Sequence, residues 1–120
     1  MREPWFRVKR VYHPADVSDG SRVLVDRLWP RGLTKVAAAL DLWLKDIAPS
    51  DELRRWSGHR PEHWDEFRRR YAEELDGHPA EVARVIELRA AGSVTLLYAA
   101  RDIQRNNAVA LAAYLDLRLG

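Results

Sequence analysis

Hydrophobic positions along the chain recur at two spacings, about two residues and three to four residues, and the switch between them separates candidate strands from candidate helices. Residues 5–12, Trp-Phe-Arg-Val-Lys-Arg-Val-Tyr, mix β-branched and aromatic residues with broken alternation, which predicts an outer strand with one wetter face. His13-Pro14 and Ser18-Asp19-Gly20 then mark a loop and a turn. Residues 22–26 form a short apolar run bounded by turn signals and predict a buried strand. Thr34 is placed to cap one helical turn through Ala39. After it, Leu40, Leu42 and Leu44 alternate with Asp41, Trp43 and Lys45, which favours a strand through Ile47. A continuous helix from Lys35 to Asp46 competes, since Val36, Leu40 and Trp43 also sit at helical spacing.

Helices are better marked in the second half. Ser50 or Asp51 can cap a short one that ends near Ser57-Gly58, because a Ser or Asp side chain satisfies the free amides that open a helix. The next has Pro61 in its first turn, carries Trp64, Phe67, Tyr71 and Leu75 on one stripe, and stops at Gly77. A third starts at Pro79, turns Val82, Val85 and Ile86 inward, and stops at Gly92. Residues 93–100 are the most apolar window and lack alternation, as a strand covered on both faces of a parallel sheet would be. A last helix, from about Ile103 or Arg105 to Leu119, carries Ala108, Leu111, Ala112 and Leu115 inward. Strands separated by helices predict an α/β fold: a single small layered domain over residues 1–120, with a mostly parallel central sheet flanked by helices.

That order decides where chemistry would gather. If strands 22–26, 40–47 and 93–100 are mostly parallel, their C-terminal ends deliver Arg27 to Gly32, Ala48-Pro49-Ser50, and Arg101-Asp102 to one edge, where open α/β sheets bind ligands. Arg27, Trp29 and Arg31 could grip a phosphate or carboxylate and stack on a planar group. In the competing reading Trp29 and Pro30 cover the sheet edge while Arg27 pairs with Asp26, Asp46 or Asp102. Lys45 beside a helix opening at Ser50 makes a second anion-binding candidate, unless Ser50 is simply a cap and Lys45 a solvated charge. Tyr98, Arg101, Asp102 and Asn107 form the third group. Asp102 and Tyr98 would do any acid-base work there, and capping or ion pairing is the alternative for Asp102. No nucleophile and base stand at a recognised spacing.

Composition narrows the chemistry. The chain has 120 residues, enough for one core, and no cysteine, so disulfides, thiol catalysis and Cys-ligated zinc are excluded within it. His59 and His63 are four apart with Pro61 between them, and no metal-ligand set is expected; no cofactor is identified. Nothing resembles a signal or membrane segment, and a cytoplasmic protein is expected. The net charge is only +2, below the basic footprint of a dedicated DNA binder, and Arg68, Arg69 and Arg70 lie among acids at helical spacing, as on a solvated face. Of the 20 basic residues 17 are Arg, which favours planar bidentate contacts.

Five blocks in order make the chain similar to the YeaO-like family of DUF488. They are Asp19-Gly20 with residues 22–32; Trp43-Leu44-Lys45 with Ala48-Pro49-Ser50; Leu53-Arg54 to Trp56 with His59; residues 64–67 with Tyr71; and residues 96–102 with Asn107-Ala108. The resemblance implies a compact cytosolic α/β domain without an established activity, and labels of transcriptional regulator attach to some members. Related branches carry a Cys where this chain has Tyr98, and Cys-His-Arg where it has Asn106-Asn107-Ala108, so thiol chemistry does not carry over. The leading expectation is an anionic ligand at the C-terminal sheet edge, phosphate-bearing, a small molecule, nucleotide or nucleic-acid end, with hydrolysis or phosphoryl transfer beyond it. A nucleic-acid-binding regulator and a non-catalytic interaction domain are the alternatives. Oligomeric state is not legible.

Overall fold

A computed structural model describes residues 4–120. Four strands, β1 (Arg7–Arg10), β2 (Ser21–Leu24), β3 (Leu42–Trp43) and β4 (Val94–Tyr98), form one sheet in the order β1-β4-β2-β3. Every pairing is parallel, with Leu96 level with both Val8 and Val23, and Leu24 level with Trp43. β4 is hydrogen-bonded on both sides and all five of its residues are buried, which is why its sequence is apolar without alternation. β1 is an edge strand, as its wetter composition predicts.

Successive side chains point to opposite faces, so the two faces have different partners. Val23, Val25, Val94, Leu96 and Tyr98 pack with Phe67, Tyr71 and Leu75 of α3 (Trp64–Asp76), Val82 and Val85 of α4 (Pro79–Ala91), and Ala108, Leu111 and Leu115 of α5 (Asn107–Leu119). The stripe expected on each of these helices is the one that is buried, with Ile86 and Ala112 at its half-buried margin. The opposite face has only a small cluster, Val11, Leu24 and Leu97 under Ala38 of α1 (Lys35–Ala38), edged by Trp29, Leu33, Leu40 and Trp43.

A polar network completes that second face. Arg22, 4% exposed, reaches Asp19 Oδ2 at 2.5 Å through Nη1 and donates to the carbonyls of Ala39 and Ala38 at 3.0 and 2.8 Å. Lys9 adds a second cation 3.1 Å from Asp19, and Thr95 Oγ1 donates to the Asp19 carbonyl. Gly20 fits here because a Cβ would stand 2.3 Å from the Ser93 carbonyl oxygen, at a φ of 64° that favours glycine.

Segment 35–47 keeps the expected single helical turn and excludes the continuous helix, but its strand is shorter than the alternation predicts. Thr34 caps α1 by accepting from the Ala37 amide, and Ala39 has a positive φ of 48° and ends the helix after one turn, as expected, which removes the long-helix alternative. The following strand is only Leu42–Trp43, and a 3-10 turn, Lys45–Ile47, then rolls Ile47 into the core. Leu44 still donates to the Leu24 carbonyl at 2.9 Å, so pairing with β2 persists for one residue beyond the strand. Ser50, not Asp51, caps α2 (Asp51–Ser57), accepting from Leu53 N at 3.1 Å. Pro61–His63 form a 3-10 turn before α3, and α5 starts at Asn107 because Asn106 caps it through the Val109 amide. No helix among the described residues is long and apolar enough to cross a membrane.

Candidate functional site

All four strands run the same way, so the chain leaves the sheet repeatedly at one edge, and a cleft of about 520 Å³ opens there. Its walls come from Tyr12 after β1, residues 26–31 after β2, Ala99 and Ala100 after β4, the α2–α3 corner, and residues 105–107 at the start of α5.

The β2 exit is held by hydrogen bonds. Asp26 Oδ2 accepts from Ala99 N at 2.9 Å, tying the end of β2 to the end of β4, and the Asp26 carbonyl accepts from Trp43 Nε1 at 2.8 Å. Trp29 closes the next turn by donating Nε1 to the Leu33 carbonyl at 2.6 Å, and Tyr12 donates its hydroxyl to the Arg31 carbonyl at 2.7 Å. Trp29 also meets Trp43 edge-on, with centroids 5.4 Å apart. One ring thus both lines the cleft and anchors its wall. On the α2–α3 side Gly58 and His59 both have positive φ, 54° and 58°, and this double reversal follows Arg54 of α2 and leads into His59 and Arg60, all three of which line the cleft.

Charge is distributed one-sidedly. Arg27, Arg31, Arg54, Arg60 and Arg105 line the cleft against one carboxyl, Asp26. Arg54 lies 2.9 Å from Asp51 and Arg105 lies 3.4 Å from Asp102, whereas Arg31 and Arg60 have no ion pair among the described residues. Among the described residues Arg27 reaches only the Ala48 carbonyl at 3.4 Å and Asp51 at 3.8 Å, and its Nε has no hydrogen bond there. Burial raises the pKa of Asp26 above the usual carboxylate value, although the Ala99 amide, the Asn107 side chain and the charges of Arg54 and His59 pull the other way.

Of the residues singled out in the sequence, Arg27, Trp29, Arg31 and Asn107 line this cleft, with Asn107 Nδ2 donating to the Val25 carbonyl at 2.8 Å. The other five do not join them. Lys45 lies over the Trp43 ring at 4.3 Å from its centroid, because the 3-10 turn carries it away from the edge. Ser50 is occupied as a cap, and its hydroxyl and amide also donate to the Glu74 carboxylate at 2.6 and 2.8 Å. Tyr98 is in the helix-side core at 3% exposure, where burial pushes its phenol up. Asp102 folds onto its own turn, accepting from the amides of Arg105 and Gln104 at 2.9 Å, and these donors hold its carboxyl below the usual range. Arg101 is exposed outside the cleft.

Sequence reading missed Asp26, Arg54, Arg60 and Arg105 as site residues. Arg54 and Arg105 have acids three residues earlier and read as compensated; Asp26 reads as a strand end. The usable signal was Gly58-His59 between two arginines, just before the helix-opening Pro61. His63, by contrast, stacks on Trp56 at 4.3 Å and lies apart from His59 in role.

A family described as the "Inactive DUF488-N3 subclade" matches residues 5–120. The chain is 46% identical to an "Uncharacterized protein" of Mycobacterium tuberculosis over 118 residues, covering 98% of this chain and 99% of that one. It is also 46% identical to the "Uncharacterized protein YeaO" of Escherichia coli over 107 residues, covering 89% and 93% of the two. No solved structure matches the chain.

Proposed function

The chain belongs to the YeaO-like DUF488 family, and from that premise we propose that its cleft binds a phosphate-bearing ligand without converting it. One observation carries this reading: five guanidiniums line the cleft against a single carboxyl, and the carboxyl pairs with none of them. Guanidinium forks match phosphate oxygens bidentately, and low local dielectric strengthens each contact. The start of α5 at the same cleft adds the positive end of a helix dipole. Tyr12, Trp29, Trp64 and Phe67 supply an apolar wall, and the volume suits a small organic ligand or the end of a nucleic-acid strand rather than a duplex.

Binding without conversion is favoured by what the chain lacks and by its matched family. It has no cysteine where related branches carry one, and the description of the matched subclade is "inactive". The acid-base pair expected from the sequence, Asp102 with Tyr98, is used in a turn and in the core. Calorimetric titration of inorganic phosphate, nucleotides and short oligonucleotides into the native protein and an Arg27→Ala/Arg31→Ala variant tests the reading. Binding that weakens about 10- to 100-fold in a still-folded variant is expected, since each hydrogen bond to a charged group contributes about 1.5–3 kcal/mol. Equal binding by both proteins, or none by the native one, overturns it.

A further inference from the structure

The carboxyl of Asp26 is the feature an anion site does not explain. A negative group on the floor of a phosphate cleft repels the ligand, so its presence lowers anion affinity unless the ligand also brings it a donor. Structural need does not account for it either: the bond to Ala99 N uses Oδ2 alone, and an amide oxygen would serve that role as well. Ion pairing does not account for it, because none of the five guanidiniums pairs with it among the described residues. A carboxylate offers about four lone-pair sites; the Ala99 amide occupies one of them.

Resting on the anion-binding reading above, we propose that the ligand is a phosphorylated sugar, free or as the sugar phosphate of a nucleotide. In it a sugar hydroxyl donates to Asp26, which is the specificity-determining residue. The arginines take the phosphate oxygens, and the ring or base lies against the aromatic wall that Trp29 and Trp64 help to form. A hydroxyl donating to a carboxylate is a charge-assisted bond, and a ligand lacking it leaves the half-buried carboxylate facing an anion with no donor between them. Inorganic phosphate and simple alkyl phosphates are therefore the disfavoured ligands, although they carry the same anionic group.

The test compares methyl phosphate with ribose 5-phosphate and adenosine 5′-monophosphate, titrated into native protein and Asp26→Asn, with folding followed by thermal denaturation. The Asn variant keeps one acceptor oxygen for Ala99 N and removes the charge. Native protein is expected to favour ribose 5-phosphate over methyl phosphate by about 10-fold. In Asp26→Asn the preference collapses, because ribose 5-phosphate weakens while methyl phosphate holds or tightens. A purely structural Asp26 would weaken both equally. Further tightening with adenosine 5′-monophosphate identifies the sugar as a nucleotide's; equal affinity identifies a free sugar phosphate. Binding of both compounds without preference, or a preference that survives in Asp26→Asn, overturns this inference and leaves the anion cleft standing. Failure of the native protein to bind any of the three overturns both.

Discussion

Two groups of arginines in this small domain differ in what surrounds them. On α3 each guanidinium has a carboxylate within one turn: Arg68 is 2.9 Å from Asp65, Arg69 is 2.6 Å from Glu66 and 2.5 Å from Glu73, and Arg70 is 2.8 Å from Glu66. Two of these guanidiniums hold the Glu66 carboxyl down to about 2. Around the cleft the arginines come from separate segments; among the described residues Arg31 and Arg60 have no acidic partner and Arg27 makes only long contacts. The contrast shows that density of charge in a sequence and availability of charge in a fold are different quantities. Arg68, Arg69 and Arg70 are consecutive and spent; Arg31 and Arg60 are 29 residues apart and free to meet a ligand.

Arg22 is the extreme of the spent group and gives the largest expected effect. Its guanidinium is buried and binds Asp19 and two carbonyls, so Arg22→Ala leaves the Asp19 carboxylate with Lys9 as its counter-cation and the Asp16 amide as a donor. Breaking a buried pair from one side costs about 3–5 kcal/mol, a large part of the stability of a domain this size. Urea denaturation should show the loss; a midpoint equal to native would mean that the polar face contributes little to the fold. The cleft group should behave oppositely. Arg31→Ala with Arg60→Ala removes side chains without ion pairs among the described residues, so stability should change by no more than about 0.5 kcal/mol, while affinity for a phosphate ester falls about 10- to 100-fold. Replacing Arg68, Arg69 and Arg70 together should leave that affinity unchanged in the same calorimetric assay.

Much of the fold was legible because its signals are local. The stripe Phe67-Tyr71-Leu75, the apolar run of β4 and the caps at Thr34 and Ser50 depend on residues within a few positions of one another. The strand in segment 40–47 is shorter than its alternation predicts because the alternation continues past the point where the 3-10 turn at Lys45 takes over, a turn that buries Ile47 against distant helices. The edge that carries the cleft followed from strand direction, and so did Arg27, Trp29, Arg31 and Asn107. Lys45, Ser50 and Asp102 shared that edge in sequence terms but are turned to the Trp43 ring, the Glu74 carboxylate and local amides. Such partners depend on side-chain direction, which spacing does not encode. Asp26 depends on burial, another long-range property.

A pH series sharpens the same comparison through Asp26. Its folded-state pKa is raised, chiefly by burial, so folding favours the protonated carboxyl. The favourable term is fully present below the ordinary Asp value of about 4 and disappears as pH rises through the raised folded value. Asp26→Asn, neutral throughout, should therefore gain melting temperature over native near neutral pH, by a few degrees at most, and lose that advantage near about pH 4. An advantage that does not depend on pH would trace to packing instead of charge. Asp102 should show the reverse sense, since its carboxyl is held low by the Arg105 and Gln104 amides and its contribution is lost as pH falls through that lowered value.

The smallest expected effect lies on α3. Arg69→Ala removes two ion pairs, to Glu66 and Glu73, shorter than any ion pair of the cleft arginines, yet Arg69 is 60% exposed and both partners lie at the surface. Water and salt screen such pairs, and holding two long side chains in one geometry offsets most of the Coulomb gain. Ala also has the higher helix propensity, which opposes the loss further. The melting temperature should therefore stay within measurement scatter at physiological salt, with a small decrease emerging only at low ionic strength. A clear loss at high salt would show that the α3 arginines stabilise the helix through packing of their stems. The contrast with the cleft would then rest on unpaired charge alone, because both groups would be contributing contact surface.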